Sequence, residues 1–476
     1  MSWLEQAVVY QVYPRSFRDS DGDGIGDLAG IESRLEHVAA LGADALWLSP
    51  VYPSPGVDMG YDIADFQDID PLFGDLAAFD RLVASAHGAG LRVLMDLVPC
   101  HTSIEHPWFA EHPDWYVWAE GDRPPNNWVA NFGGPAWTRD PGRGRWYLHS
   151  YYPEQPDLDW RNPEVVAAMQ DVIRFWLGRG VDGFRLDAIQ GLLKDPQLRD
   201  DPPATGAFGL PLPEEYGRLD HVHSANAPDV GDALASLREA AGDAPLVGEV
   251  YLPAAGRRPY LDHVDVAFAF ELLHAPWDAA SLRAALEAGA GGGAAWVLSN
   301  HDFPRVRTRV GAENARAAAV LLLTLPGPAF IYQGDELGQI DAPGPGTRYD
   351  RHGRDGCRHP VQWEPDARTA GFTTGEPWLA PVDAPERNAR DQAGDPDSML
   401  ELYRRLIALR GKLAGELEPV DAAEGVVAFR RGRHTVAVNT SPAPAHMPVE
   451  GAVVLSTHAG AGDAATLVAH EGRVVG

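Results

Sequence analysis

The chain has 476 residues, 45% hydrophobic and 22% charged, an ordinary balance for a folded globular protein but too long for one small core, so a large domain with one or two satellites is expected. A formal net charge of −29 repels phosphate backbones and anionic lipid, which excludes nucleic acid and membrane as partners and leaves room for a neutral ligand such as a sugar. Two cysteines, Cys100 and Cys357, exclude a disulfide framework and fit a reducing compartment.

The first residues, Met1 to Gln6, lack the basic and apolar regions of an export signal, and no apolar run approaches the roughly 20 residues of a membrane span. A soluble cytoplasmic protein is expected. Along the chain, short apolar runs predict strands at Val8–Tyr13, Ala45–Leu48, Arg92–Leu97, Gly183–Leu186, Leu246–Glu249, Val264–Phe268, Trp296–Ser299 and Ala329–Tyr332. Between them, helical spacing predicts helices over Ile31–Leu41, Leu76–Ala86, Glu164–Leu177, Ala233–Ala241 and Ala315–Leu323. The third of these opens with Asn162-Pro163-Glu164, a cap residue, a proline at the first helical position and an acid in the first turn. Eight strand-then-helix units predict an α/β fold of the (β/α)8 barrel type rather than an open doubly wound sheet.

Two intervals are too long for simple connections. Residues 101–164 are rich in Trp, Pro, Asn and Gly and read as a subdomain inserted after strand three; Gly338 to Asp397 reads as an irregular excursion after strand eight. From about residue 412 the chain switches to β-branched runs such as Val426-Val427-Ala428-Phe429, which predict a small C-terminal antiparallel β domain. The expected division is therefore a barrel over 1–100 and 165–411, an inserted subdomain over 101–164 and a terminal domain over 412–476.

Barrels of this type place working residues at the C-terminal ends of their strands. Polar blocks fall there in order: Asp96-Leu97-Val98-Pro99-Cys100-His101, Phe184-Arg185-Leu186-Asp187, Gly248-Glu249-Val250 and Ser299-Asn300-His301-Asp302. Arg185 and Asp187 are two apart on a strand and share a face, and an arginine beside a carboxylate keeps it ionised, as a nucleophile requires. Glu249 arrives from the next strand among like charges, which favours keeping one carboxyl protonated as a general acid. One ionised and one protonated carboxyl are the equipment for glycoside cleavage; the competing reading is an Asp–Arg–Glu salt-bridge network closing the barrel mouth. The run Asp19-Ser20-Asp21-Gly22-Asp23-Gly24-Ile25-Gly26-Asp27 reads as a loop whose alternating carboxylates would repel one another unless a hard cation, Ca²⁺ or Mg²⁺, neutralised them. It is not an EF-hand, because its twelfth position is Gly30. A solvated Asp/Gly turn is the plainer alternative.

These blocks, with Gly60-Tyr61-Asp62-Ile63, Gln155-Pro156-Asp157-Leu158-Asp159-Trp160 and Arg354 to Trp363, resemble glycoside hydrolase family 13, the α-amylase family, and within it the oligo-1,6-glucosidase and α-glucosidase group. The likeness runs from Val9 to the terminal β domain. It implies Asp187 as nucleophile, Glu249 as acid/base and Asp302 as the third carboxylate, which holds the sugar's 2- and 3-hydroxyls. It implies that His101 and His301 bind the same glucose and that Arg185 orients Asp187. Asp62 and Arg358 would grip the non-reducing 4-hydroxyl and make the enzyme exo-acting, and Tyr61, Phe132 and Tyr151 would line the sugar. A structural Ca²⁺, with Mg²⁺ as substitute, would sit on Asp19, Asp21, Asp23, Asp27 and the Ile25 carbonyl, and no organic cofactor is implied.

Two positions depart from the family pattern. Cys100 stands where the family usually has Asn, which puts the support of the strand-three loop in doubt; with the carboxylates retained, a thiol nucleophile would be superfluous. Asp159 occupies a place often held by Asn. Ala188 follows the nucleophile where Val accompanies α-1,6 preference, so the resemblance leans to α-1,4 linkages and short, maltose-like oligosaccharides. The expected activity is a retaining α-glucosidase with transfer to acceptors, the covalent glucosyl intermediate being open to sugars and alcohols as well as water. A sucrose- or trehalose-forming isomerase of the family is the alternative, and a non-catalytic family member the distant one.

Overall fold

The computed structural model describes residues 2–344, 346–347, 350–447, 451–458 and 465–476. Eight parallel strands, β1 (Val8–Val12), β2 (Ala45–Leu48), β3 (Arg92–Leu97), β4 (Gly183–Leu186), β5 (Leu246–Gly248), β6 (Val266–Phe268), β7 (Ala294–Val297) and β8 (Ala329–Tyr332), form a closed barrel in the order β1-β8-β7-β6-β5-β4-β3-β2. Half of the predicted strands coincide with the observed ones to the residue. β7 ends at Val297 and not at Ser299, because the chain there leaves the ladder for a turn in which the Asn300 side chain accepts from the backbone N–H groups of Asp302 and Phe303. The predicted helix over 31–41 is two helices, Leu28–Glu32 and Leu35–Leu41. Asp27 caps the first through the Gly30 N–H at 2.7 Å, and the Ser33 hydroxyl bonds back to the Gly30 carbonyl at 2.7 Å, the local competition that ends helices early.

The chain divides into two compact units, one of Met1–Trp47, Ala84–Arg92 and Ala269–Gly476, the other of Leu48–Val83 and Val93–Phe268. In the second, β3, β4 and β5 pair in parallel so that Asp96 lies opposite Arg185 and Arg185 opposite Val247. Close approach of these strands needs Gly183, where a Cβ would sit 2.5 Å from the Pro245 carbonyl oxygen and 2.8 Å from a Leu94 methyl. The helix Pro163–Gly178 is capped by Asn162 on the Glu164 N–H and buries Val165, Met169, Val172, Ile173 and Trp176, the stripe the sequence predicts. The inserted segment carries a three-stranded antiparallel sheet over an apolar cluster of Ala119, Trp128, Ala130, Ala136, Trp137 and Leu148.

In the first unit β1 pairs with β8 and β8 with β7. The helix Ala315–Thr324 is buried on every side, which is why its sequence, Ala-Arg-Ala-Ala-Ala-Val-Leu-Leu-Leu-Thr, shows no polar face. One side meets the C-terminal sheet so closely that a Cβ on Gly472 would come within 2.8 Å of Val320. That sheet has five strands, Glu418–Pro419, Val426–Arg431, His434–Asn439, Gly472–Val475 and Val453–Ser456 in spatial order. Among the described residues no helix is long and apolar enough to cross a membrane.

Candidate active site

The second unit gathers its charges on one buried guanidinium. Arg185, 1% exposed, donates through Nη1 to Asp187 Oδ1 at 2.7 Å and Asp96 Oδ1 at 2.8 Å, and Nη2 meets Glu249 Oε1 at 2.7 Å. The strand ladder sets this up: the Asp187 N–H bonds to the Leu97 carbonyl and the Glu249 N–H to the Leu186 carbonyl, each at 2.8 Å, so the three acids leave neighbouring strands at one level. Burial, opposed by Arg185 and reinforced by the negative charge of Glu249 and Asp96, holds the Asp187 carboxyl well above the usual range. Ala188, directly after it, adopts a left-handed conformation at φ 49°, and this turn brings its N–H to Glu249 Oε2 at 3.2 Å.

Asp96 was not among the residues singled out in the sequence, yet it is central here. Its second oxygen accepts from the Tyr61 hydroxyl at 2.9 Å, so one carboxylate fixes both the arginine that holds Asp187 and the Tyr61 ring. Burial raises its pKa to about 6, against the pull of Arg185 and the Tyr61 hydrogen bond.

His101 follows β3. Its Nε2 faces the Gln155 amide nitrogen at 3.0 Å, and that same amide donates to Asp58 Oδ2 at 3.1 Å. The same Nε2 lies 3.2 Å from the Tyr61 carbonyl oxygen, an acceptor, while Nδ1 has no partner in the structure; burial lowers the pKa, so the ring is neutral at pH 7. Tyr151 packs on His101 with centroids 5.3 Å apart, and Phe132 meets Tyr151 edge-on at 5.3 Å. Tyr151 also feels the charges of Asp187 and Glu249, which, after burial, push its hydroxyl upward. Asp62 is fully buried and accepts from Ser54 Oγ, Val57 N and Asp58 N at 2.8–3.0 Å, closing the loop before Tyr61. Cys100 is buried, its thiol pushed up to about 12 by desolvation, which makes it inert as a nucleophile. The Lys194 ammonium, also unforeseen, stands beside it, 2.8 Å from Asp157 Oδ2 and 3.8 Å from Cys100 Sγ.

The first unit holds Asp302, His301 and Arg358 together. Asp302 Oδ1 accepts from Arg354 Nη1 and Arg358 Nη2, both at 2.9 Å, and Oδ2 lies 3.2 Å from His301 Nε2. Gln11 on β1 approaches His301 Nδ1 at 2.8 Å; donating there, it leaves the ring proton on Nε2, facing Asp302. Tyr13 stacks on His301 at 5.9 Å. The Asp302 side chain stays 24% exposed, so its carboxylate is open to a ligand although two arginines hold it.

The same unit carries the aspartate loop. One carboxylate oxygen each of Asp19, Asp21 and Asp27 lies within 4.8 Å of the others. Asp23 stands outside that triplet but feels all three charges, which add to burial in raising its pKa. Gly24, at φ 93°, has a Cβ position 2.0 Å from the Glu376 carbonyl, so the loop lies against the 373–376 segment and admits no side chain there. Hard oxygen donors in a cluster of like charge fit a divalent cation of the Ca²⁺ or Mg²⁺ type.

A closed eight-stranded α/β barrel carrying acids on an arginine at the ends of β4 and β5 defines a glycoside hydrolase. The description "Alpha amylase, catalytic domain" matches residues 11–415. A probable α-glucosidase of Rhizobium meliloti (strain 1021) is 42% identical over 90% of this chain and 87% of its own. Among solved structures, an α-glucosyl transfer enzyme superposes with a TM-score of 0.91 at 38% identity, covering 100% of this chain and 99% of the other. The trehalulose synthase of Pseudomonas mesoacidophila MX-45 superposes with 0.89 at 31% identity, covering 100% and 99%. The chain belongs to the α-amylase family of glycoside hydrolases, in its α-glucosidase group.

Proposed function

We propose that this enzyme is a retaining, exo-acting α-glucosidase that removes terminal α-glucosyl units from short oligosaccharides and passes them to water or to an acceptor hydroxyl. The observation that carries the reading is the shared fork of Arg185, which holds Asp187 and Glu249 on the two nitrogens of one guanidinium. Such closeness favours double displacement, since inverting enzymes keep their carboxyls about 6.5–9.5 Å apart to admit a water. Asp187 attacks the anomeric carbon in its ionised form, which Arg185 favours against burial and the charges of Glu249 and Asp96, while Glu249 gives its proton to the departing oxygen. Glu249, now a base, then takes a proton from water or acceptor as that oxygen attacks the glucosyl ester from the other side. The unpartnered Nδ1 of His101 is the ring atom left for a sugar hydroxyl, Tyr151 and Phe132 supply an apolar wall, and Asp302 fills the third-carboxylate role the family likeness implies.

The small Ala188 favours α-1,4 substrates, and the aspartate loop takes a structural Ca²⁺ with no part in the chemistry. Likeness to a trehalulose synthase keeps sucrose isomerisation as a second reading with the same first step. The test is fresh product examined by NMR from maltose, isomaltose and sucrose, with Asp187→Ala as control. α-Glucose from maltose that disappears in the variant is expected; β-glucose would overturn double displacement, and rearranged disaccharide from sucrose without net hydrolysis would favour the isomerase.

A further inference from the structure

Asp335 is a buried acid with no part in the reaction just described. It is 5% exposed and follows Gly334, whose φ of 89° and Cβ position 2.3 Å from Gln339 Oε1 admit no side chain. The Asp335 Oδ2 atom accepts from the Ser299 hydroxyl, and Oδ1 has no hydrogen-bond partner among the described residues. Ser299 lies two residues beyond β7 and opens the turn that carries His301 and Asp302. The Asn300 side chain draws that turn in. It ends at Arg305, which is fully buried and donates to the Gln333 carbonyl at 2.6 Å and the His359 carbonyl at 3.4 Å. Both ends of the turn are thus tied to the residues just after β8. The second end is also tied to the residue after Arg358, one of the arginines on Asp302.

We infer that Asp335 is a positioning residue for Asp302, and that its ionised form holds the turn in the geometry that binds sugar. The inference rests on the proposed function, in which Asp302 meets the sugar. A carboxylate accepts from Ser299 with charge assistance and a neutral carboxyl without it, and charge-assisted bonds are roughly twice as strong. An asparagine would accept from Ser299 without burying a charge, so the charge is what an aspartate adds at this position. Burial pushes the Asp335 carboxyl up to about 7, with Glu336 and Asp341 adding to the rise and Arg305 and Ser299 opposing it. The other groups facing it hold their state near pH 7. Arg305, burial notwithstanding, is raised by Tyr332 and Asp335; Arg309, lowered by burial to about 10, is still a cation; burial keeps the proton on the Tyr403 hydroxyl of the helix Met399–Arg410. Asp335 therefore takes up its proton as pH falls through about 7, and sugar affinity falls with it.

The test uses the full-length enzyme and thiomaltose, a neutral analogue whose sulfur bridge resists cleavage, with affinity measured by calorimetry at pH 6, 7 and 8. Asp335→Asn keeps a neutral acceptor for Ser299. Ser299→Ala removes the contact from the other side and decides alone if the first variant does not fold. Ionisations of Asp187 and Glu249 are common to all, so the quotient of parent over variant affinity isolates Asp335. The quotient is expected to rise by about threefold from pH 6 to pH 8 for both variants, most of the roughly fivefold gain that charge assistance supplies. A contact that merely supports the fold would give quotients independent of pH, and flat quotients overturn the inference. A rise with one variant and not the other overturns the route through Ser299. Asp302→Asn separates this inference from the proposed function. If it weakens thiomaltose while the quotients stay flat, the role of Asp335 alone is wrong; if it leaves thiomaltose binding unchanged, Asp302 does not meet the sugar and both readings fall.

Discussion

Replacing Asp96 by asparagine tests whether the Arg185 cluster carries more negative charge than it can hold. In the fold the Asp96 carboxyl is raised from 3.8 to about 6, chiefly by burial, and a rise of that size corresponds to about 3 kcal/mol against ionisation. The sign follows from linkage: an acid raised in the folded state destabilises nothing below its unfolded value and exerts its full cost above its folded one. About half the cost is already present at pH 5, because the unfolded chain ionises there first, and all of it at pH 8. The substituted amide keeps an acceptor for Arg185 and a partner for the Tyr61 hydroxyl but has no charge to lose. The stability of Asp96→Asn relative to the parent should therefore climb by about 1 kcal/mol between pH 5 and pH 8, whatever the offset at either pH.

Denaturant unfolding of both proteins at pH 5, 6, 7 and 8 with matched m-values measures this double difference. The kinetics supply an independent reading. Asp96 is one of the charges that raise Asp187, so its removal should move the acid limb of kcat/KM, which reports ionisation of the nucleophile in free enzyme, to lower pH. A relative stability that is flat or falls with pH, or an acid limb that moves upward, would refute the overcharged-cluster argument.

Glu249→Gln should lower kcat on maltose by about 10³-fold or more with little change in unfolding, and lower it much less on an aryl α-glucoside whose leaving group needs no proton; equal losses on both substrates would remove the acid role. Chelator should lower Tm, and added Ca²⁺ restore it, while kcat measured well below Tm holds; an unchanged Tm would leave the aspartate loop without a cation. Ala188→Val places a β-branched side chain at φ 49°, so it should cost about 1 kcal/mol or more of stability. The same variant should raise isomaltose turnover relative to maltose, and an unchanged ratio would detach linkage choice from this position.

The barrel was legible because each strand is a short apolar run ending in a polar block, and the Arg185–Asp187 pair because a two-residue spacing on a strand fixes a common face. Boundaries slipped where a side chain outcompeted the ladder or the helix, as Asn300 does after β7 and Ser33 does after Glu32. What stayed hidden were the partners. Asp96 lies in Arg-Val-Leu-Met-Asp-Leu, and an acid inside so apolar a strand is itself a signal, because a buried charge must find an opposite one. Arg185, its partner, lies 89 residues further on, opposite it in the ladder.

Lys194 is the harder case. It is one of two lysines in the chain and follows Leu192-Leu193 in a stretch that reads as an ordinary loop. Cys100 beside the family's histidine suggested a lost amide and a weakened strand-three loop. In the structure that place is crossed by the Lys194 ammonium, which ties Asp157 of the inserted segment to the Gly191 carbonyl just after the turn at Ala188. A thiol tolerates a buried ammonium at 3.8 Å because it is neutral and can become an anion, whereas an amide there would offer a fixed dipole and no exchangeable charge. The loop at Cys100 is thus held by an ammonium that bridges two other segments, a support that depends on a residue 94 positions away.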